Sequence, residues 1–129
     1  MGNLIELCCD ETNLTNLDLS QMPNLKKLDC SDNQLIAQNL SAVPKLGELM
    51  CANSNLTALD LSYTPDLKFL IYNSNKLTRL DLHPLKILLS LTCCHNELTT
   101  LDLSQTQNLV LLKCNKNQLT NIGLSCIKN

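Results

Sequence analysis

Aromatic residues and glycine are scarce in this chain. Phe69, Tyr63 and Tyr72 are its only aromatic residues, 2% of 129, and it has no tryptophan. The core must therefore be aliphatic, and a single-stranded nucleic acid would find few rings on which to stack its bases. Only three glycines are present, and none lies in a glycine-rich phosphate loop. These absences argue against nucleotide binding and against nucleic acid as a partner.

Strong net charge and long apolar runs are also missing. Ten Lys and Arg face 12 Asp and Glu, a formal net charge of −2, so no basic surface for nucleic acid is predicted. No apolar run is long enough to span a bilayer, and no secretory segment precedes the first leucine. We expect no membrane insertion. The location would be cytoplasmic if the chain is complete, and secreted or at the cell surface if it is a fragment of a larger protein.

A 21-residue pattern fills most of the chain and restarts six times without insertion or deletion. Its core reads L-x-x-L-x-C-x-x-N-x-L, as in Leu25, Leu28, Cys30, Asn33 and Leu35. A fixed period of this length is typical of a leucine-rich-repeat solenoid, in which each coil is too small to bury its own apolar face. We expect a single domain over residues 1–129, with repeats at 4–24, 25–45, 46–66, 67–87, 88–108 and 109–129.

Each repeat divides into a strand and a return segment. The third to eighth positions alternate as a strand does, so the fourth and sixth point inward and the third, fifth and seventh outward. The return segment reads T-x-L-D-L-S, as in residues 57–62, which favours a short extended or 3₁₀ segment over a helix. The prediction is a β-solenoid with a parallel β-sheet on one face and short extended or 3₁₀ segments on the other.

Eight cysteines in a short chain usually indicate disulfides, but their spacing here indicates free thiols. Five occupy the sixth position of a repeat, where the fourth repeat has Tyr72 instead: Cys9, Cys30, Cys51, Cys93 and Cys114. Stacked strands would hold them roughly 4.8 Å apart, which is longer than the roughly 3.8 Å between the Cβ atoms of a relaxed disulfide. We predict a column of buried, reduced thiols that pack as small hydrophobes.

Polar residues at the ninth position are predicted to be structural. They are Asn33, Asn75, Asn96 and Asn117, with Thr12 and Ser54 as substitutes. A buried carboxamide both donates and accepts, so it can pair the backbone groups that become free where the strand turns away. One inward column of leucines is broken by Gln38, which predicts a coil that is locally distorted or open to water.

The return segments also carry a line of aspartates: Asp18, Asp60, Asp81 and Asp102. A line of carboxylates lacks the converging ligands that calcium needs. We interpret these aspartates as solvated groups or as acceptors of turn hydrogen bonds, and we predict no metal site.

The pattern L-x-x-L-x-C-x-x-N-x-L, followed by T-x-L-D-L-S, resembles the cysteine-containing bacterial repeats of the internalin J type over residues 4–129. This resemblance implies a right-handed, horseshoe-like solenoid with its parallel sheet on the concave face. It also implies a part of a larger surface-attached or secreted bacterial protein that binds other macromolecules. Tyr72 departs from the thiol column, and Gln38-Asn39-Leu40 replaces the L-D-L strip.

The adjacent residues Cys93, Cys94 and His95 raise the question of a metal or nucleophile site. Their positions place Cys93 inward and Cys94 outward. The other outward cysteine, Cys8, is four coils away, roughly 19 Å by strand spacing, too far to share a zinc ion whose bonds to sulfur are about 2.3 Å. A catalytic pair would need hydrogen-bond reach and an orienting group. We predict no enzymatic activity, no metal and no cofactor.

Binding by a solenoid is carried by the outward residues of its sheet, which differ from repeat to repeat. Here Met50, Phe69 and Ile71 fall at such positions on neighbouring strands. The predicted rim around them consists of Glu48, Asn73 and Asp29. An apolar centre with a polar rim is typical of protein-binding surfaces. We predict a non-catalytic binding module whose partner is another protein or a glycan.

The alternative is a structural segment that stacks head to tail through uncapped ends. The first repeat presents Glu6, Asp10 and Glu11, whereas the sixth presents Lys113 and Lys116. Opposite charges would face each other in such a stack, and a head-to-tail contact propagates unless its rotation closes.

Overall fold

A computed structural model describes residues 2–123, and this range contains strands and turns without a helix. Residues 124–129, the last part of the sixth repeat, lie outside the described range. The strands are β1 (Glu6–Cys8), β2 (Lys27–Asp29), β3 (Glu48–Met50), β4 (Phe69–Ile71), β5 (Ser90–Thr92), β6 (Thr100–Asp102), β7 (Leu111–Lys113) and β8 (Asn121–Gly123). Residues 2–123 contain no helix that could span a membrane.

Six of these strands form one parallel sheet in the order β1-β2-β3-β4-β5-β7. Each residue pairs with the residue one repeat later, as Glu6 does with Lys27 and Lys27 with Glu48. The remaining strands, β6 and β8, pair in parallel on the return side. The predicted leucine-rich-repeat solenoid, with its stacked parallel strands, is confirmed. We refer to its turns as coils, numbered after the repeats.

The leucine in the middle of each sheet strand anchors its coil. Because strand side chains alternate, this leucine points inward while its two neighbours point outward. Leu28, Leu49, Leu70 and Leu91 are completely buried. The backbone pairing continues one residue beyond the strand, where Cys30 N–H donates to Met50 O at 2.8 Å and Cys51 N–H to Ile71 O at 2.9 Å. The strand and the inward sixth position are thus held in the same register.

The hydrophobic core is one continuous stack that runs the length of the solenoid. Leucines of the first, fourth, eleventh and sixteenth positions are buried in the central coils, and most of those in the first and last coils, such as Leu7 and Leu112, are only partly buried. Each inner coil is covered by two neighbours, whereas the first has only one, so burial is greatest at the centre. This dependence on neighbours is expected for a solenoid.

The nineteenth position is an inward column that the sequence analysis did not include. Its residues are buried in all five coils for which the structure describes them: Met22, Val43, Thr64, Leu85 and Thr106. In each coil its N–H donates to the carbonyl three residues earlier, as Thr64 does to Leu61 at 3.2 Å. The Thr64 hydroxyl donates to the same carbonyl at 3.3 Å, so a threonine can be buried here without losing a hydrogen bond.

The asparagines of the ninth position hold the turn after each strand. Asn75 makes five hydrogen bonds: its amide donates to the carbonyls of Cys51, Tyr72 and Asn73, and its Oδ1 accepts from the N–H groups of Ser54 and Leu56. These bonds join two successive coils. Asn33 makes the equivalent set.

Gln38 is buried, with 6% of its surface exposed, so the expected opening to water is not observed. Its Nε2 donates to the carbonyls of Leu17 and Asn39, each at 3.3 Å. Its Oε1 has no hydrogen-bond partner among the described residues. The second coil therefore accommodates the polar Gln38 side chain by pairing its Nε2 and leaving its Oε1 unpaired.

Candidate protein-binding surface

Strands β3 and β4 position the three apolar residues predicted to bind a partner. The register pairs Met50 with Ile71, and Glu48 with Phe69. Because all four occupy outward positions of adjacent strands, the structure places Met50, Phe69 and Ile71 side by side on one face. We call these three residues the apolar cluster. Phe69 is 42% exposed, and Met50 and Ile71 are half-buried.

The predicted rim residues surround the apolar cluster as the register requires. Asp29 pairs with Met50 on one side, and Glu48 lies beside Phe69. Asn73 follows β4, but its Oδ1 accepts the N–H of Cys94 at 2.7 Å. Part of the Asn73 side chain is therefore used within the solenoid. The structure brings all six residues to one face, and their role in binding stays a prediction.

An ion-pair ladder lies beside the apolar cluster. Lys27 Nζ is 3.4 Å from Glu6 Oε1 and 3.9 Å from Glu48 Oε2. The Glu6 carboxylate, with Glu48 as a smaller contribution, raises the pKa of Lys27. These groups are exposed, so the pairs contribute little to stability. These ion pairs nevertheless fix the positions of the charged groups beside Phe69.

Charge separates along the sheet face, which comprises the outward residues at the third, fifth, seventh and eighth positions. Its first three coils carry one lysine, Lys27, and six carboxylates: Glu6, Asp10, Glu11, Asp29, Asp32 and Glu48. Its last three coils carry two lysines, Lys113 and Lys116, and no carboxylate. The apolar cluster lies between the acidic and the basic part.

Several large apolar residues outside the apolar cluster are also exposed. Ile36 is 66% exposed on the return side, Val110 is 83% exposed and Leu111 is 44% exposed. Leu111 shares its row on the sheet face with Phe69 and Ser90. The sequence analysis did not select Leu111, although it stands at an outward position. Scattered exposed apolar residues are common on proteins, whereas three on adjacent strands form a patch.

The thiol column is buried in its inner members Cys30, Cys51 and Cys93 and half-buried at its ends, and the buried thiols are unsuited to catalysis. The cysteines among residues 2–123 are free, without disulfides. Burial raises the pKa of Cys30 and of Cys93 to about 12, and it raises the pKa of Cys51 well above its usual value. A thiolate is the reactive form of cysteine, and it is essentially unpopulated at neutral pH in these residues. They pack as small hydrophobes.

Tyr72 fills the gap in the thiol column with a completely buried ring. Its hydroxyl adjoins the Cys93 thiol and makes no hydrogen bond of acceptable geometry among the described residues. Burial raises its pKa well above the usual value for tyrosine. An unpaired buried hydroxyl costs about 1–3 kcal/mol, which the packing of the ring offsets.

Cys94 is buried although it occupies an outward position of the repeat, because only 9% of its surface is exposed. Its Sγ donates to Asn115 Oδ1 at 2.9 Å, and its N–H donates to Asn73 Oδ1 at 2.7 Å. Side chains of the coils on both sides cover it. His95 next to it is exposed, so the two residues do not form a catalytic pair.

The aspartates of the return segments accept hydrogen bonds within their own turns. Asp18 Oδ1 accepts the N–H of Ser20 at 2.9 Å, and Asp60 Oδ1 accepts the N–H and the hydroxyl of Ser62 at 3.0 and 2.6 Å. These bonds lower the pKa of both aspartates. Of the two roles considered for them, the turn hydrogen bond is observed. Within residues 2–123, no group of three or more potential ligands could hold a metal ion.

His83 takes the position that serine has in the neighbouring return segments. Its Nδ1 lies 2.9 Å from Asp81 Oδ1 and its Nε2 lies 3.6 Å from Asp102 Oδ2. The ring therefore bridges two coils on the exposed return side, far from Cys94.

Stacked parallel strands, a column of free thiols and an asparagine turn in four of the six coils define a leucine-rich-repeat solenoid with a cysteine column. Among solved structures, the chain is similar to the functional domain of InlJ from Listeria monocytogenes, which includes a cysteine ladder. The two are 32% identical with a TM-score of 0.80, over 98% of this chain and 34% of that one. The resemblance inferred from the sequence is confirmed.

Two further solved structures share the fold. A leucine-rich-repeat protein of Leptospira interrogans is 25% identical, with a TM-score of 0.79 over 98% of this chain and 42% of that one. The TLR13–ssRNA13 complex gives 26% identity and a TM-score of 0.75, over 98% of this chain and 21% of that one. The chain thus spans less than half the length of each of these three structures. No family model and no curated protein matches it.

Proposed function

We propose that this chain is a non-catalytic repeat module that binds another protein through the apolar cluster on its sheet face. The observation that carries the proposal is the contrast between the columns. The inward leucine and cysteine columns repeat nearly unchanged, whereas the outward positions vary from coil to coil and bring Met50, Phe69 and Ile71 together. The similarity to InlJ supports a part of a larger bacterial protein.

The energetics of this face suit a binding centre. Fully burying an exposed phenylalanine or methionine side chain is worth about 1.5–3 kcal/mol, and Phe69 is 42% exposed. Binding energy usually concentrates in a few large residues near the middle of an interface, and polar groups around them exclude water. Glu48, Asn73 and Asp29 are in the right places for that outer role.

The double substitution Phe69→Ser/Ile71→Ser tests the proposal. Both side chains point outward, so far-UV circular dichroism and the urea unfolding curve should change little, while affinity for an identified protein partner should fall by at least about 100-fold. Ile36→Ser is the matched control, because Ile36 is 66% exposed but lies on the return side. Equal affinity for the double variant and the parent chain would refute the proposal.

The proposal excludes nucleic acid as a ligand, and a glycan stays the alternative partner class. The TLR13–ssRNA13 complex has the same fold, so the fold is compatible with RNA as well as protein. Three aromatic residues and a net charge of −2 disfavour RNA here. Fluorescence anisotropy with a labelled single-stranded RNA, and a glycan array, test these two classes directly. Binding of either at 150 mM salt that depends on Phe69 would replace the protein proposal.

Head-to-tail stacking is the second candidate for the 129-residue chain on its own. One observation favours it: Ile5 of the first coil and Val110 of the sixth occupy the same position in the repeat and are 56% and 83% exposed. In a stack that continues the solenoid, these side chains would meet, and so would Glu11 and Lys116. Sedimentation at high concentration and low salt tests it, and a monomer under those conditions contradicts it.

A further inference from the structure

We propose that the partner presents an amphipathic helix that lies across the strands of the sheet face, with a cationic end over the first coils and an anionic end over the sixth. This inference rests on the proposed function, since it specifies what occupies the apolar cluster. Three properties of the face carry it: its width, its length and the order of its charges.

The width of the sheet face matches one helix. Its outward residues at the third, fifth and seventh positions of a coil, such as Phe69, Ile71 and Asn73, span about 13 Å at about 3.3 Å per residue. A helix with its side chains is about 10–12 Å wide. An extended segment occupies only about 5 Å, the spacing of neighbouring strands, and would leave more than half of this width open to water.

The length of the face sets the length of the helix. Asp29, Met50, Ile71, Thr92 and Lys113 form one continuous row across β2, β3, β4, β5 and β7. Four strand spacings make this row about 19 Å long, which a helix covers with about 13 residues. Apolar residues spaced three and four apart on that helix would face Met50, Phe69 and Ile71, as in other complexes of a helix with a surface.

The charges along the row set the direction. Six carboxylates and Lys27 lie at the outward positions of the first three coils, and Lys113 and Lys116 lie in the sixth. The carboxylates also act on their neighbours. Desolvation, followed by the charge of Glu6, raises the pKa of the exposed Cys8 thiol. The two ends are separated by more than the screening length of about 8 Å at physiological salt, so each attracts its own counterpart. Such rim charges determine orientation more than affinity.

A displayed library of helical 16-residue peptides supplies the probe. Peptides are selected on the intact chain, without depletion on any variant, and one binder is synthesised with a spin label at either end. We expect the label at the cationic end to broaden amide resonances of β1 and β2, and the label at the anionic end to broaden those of β7. The substitution Lys113→Glu/Lys116→Glu should weaken binding about tenfold or more.

The control for the charge substitution is Lys76→Glu/Lys86→Glu. It changes the net charge by the same amount, and both lysines are exposed away from the sheet face; its affinity should equal that of the parent chain. A binder that depends on Phe69 and Ile71 but ignores Lys113→Glu/Lys116→Glu, or whose labels broaden all strands alike, overturns the oriented helix and leaves the protein-binding face intact. Binders that tolerate Phe69→Ser/Ile71→Ser without loss contradict the proposed function itself.

Discussion

At the scale of single residues, the asparagine of the ninth position has the largest structural role of any polar side chain. One carboxamide pairs the backbone groups of two successive coils, which would otherwise be buried without partners. Ser54 replaces it in the third coil, where its N–H and hydroxyl bond to Asn75 Oδ1 and to the carbonyls of Cys30 and Ala52. The shorter side chain reaches fewer groups than the carboxamide does.

Replacing Asn75 by alanine should destabilise the fold strongly. The substitution removes five hydrogen bonds and leaves several buried groups unpaired, at about 1–3 kcal/mol each. We expect the free energy of unfolding in urea to fall by about 3 kcal/mol or more. Asn108→Ala, at an exposed site, controls for loss of an asparagine and should change it by less than about 0.5 kcal/mol. Similar losses for both variants would contradict the structural role.

A second residue-scale feature could not be inferred from hydrophobic spacing. The eighth position adopts a left-handed backbone in all six coils without a glycine: φ is 56° at Glu11, 54° at Asp32, 53° at Asn53, 57° at Ser74, 57° at His95 and 61° at Lys116. Asn13 and Asn55 are also left-handed, with φ of 58° and 59°. Each directly follows the ninth residue in one of the two coils where that residue is not asparagine. Asparagine tolerates this region better than most residues, so in these two coils the asparagine stands at the tenth position and not at the ninth.

At the scale of the elements, the return segment is a sequence of hydrogen-bonded turns more than a strand. Aspartate at the fifteenth position accepts a hydrogen bond from the N–H two residues later, and Asn39 does the same in the second coil, with Ser41 at 2.9 Å. Asn39 therefore shows how an amide performs in the place of aspartate, because its Oδ1 accepts the same hydrogen bond and its side chain has no ionisable proton.

Acid stability should depend on these aspartates. Their pKa is lowered in the folded state, mainly by hydrogen bonds from the turn. The resulting stability is present above the ordinary pKa near 4 and is lost as pH falls through the lowered values. We expect Asp18→Asn/Asp60→Asn/Asp102→Asn to lose less stability than the parent chain between about pH 5 and pH 2, measured by urea unfolding.

A second triple variant controls for the change in net charge: Asp10→Asn, Asp32→Asn and Asp66→Asn, none of which occupies the fifteenth position of a repeat. It should follow the parent chain in acid more closely than the first variant does. The opposite order would show that overall charge, and not the turn hydrogen bond, governs the acid response.

The elements also show how far sequence reasoning reached. The leucine and cysteine columns were predicted because period and alternation directly report which side chains share a face. The nineteenth position was missed because it mixes Met22, Val43 and Thr64, and its threonine is buried only when the turn carbonyl is close enough to pair. The burial of Cys94 depends on Asn73 and Asn115 in neighbouring coils, a contact across repeats that no pattern within one repeat contains.

The candidate surface was predictable in position but not in detail. Met50, Phe69 and Ile71 could be selected from the sequence because they are apolar at outward positions, where packing in the core does not require an apolar side chain. The commitment of Asn73 to Cys94, and the ladder of Lys27 with Glu6 and Glu48, depend on side-chain geometry that spacing does not determine.

At the scale of the whole molecule, stability is the sum of coils and their contacts with neighbours. A buried leucine in a central coil touches two neighbouring coils, and one in the first coil touches one. Leu70 is completely buried and Leu7 only partly. This difference makes equivalent positions in the repeat unequal in energy.

The matched pair Leu70→Ala and Leu7→Ala measures that inequality. Leu70→Ala should lower the free energy of unfolding by about 2–5 kcal/mol, and Leu7→Ala by about half as much or less, in urea titrations followed by circular dichroism. Both residues occupy the middle of a sheet strand, so chemistry and local geometry are the same. Equal losses would mean that the first coil is covered as fully as the fourth.

The pairing of every strand residue with the residue one repeat later has an evolutionary consequence. Unequal recombination between two copies of the repeat inserts or deletes one whole coil, and the flanking coils then meet a neighbour with the same inward side chains. Such a protein can change the length of its sheet face by gene rearrangement without passing through a misfolded ancestor. A deletion whose length is not a whole number of repeats would shift the register and bring leucines onto the surface.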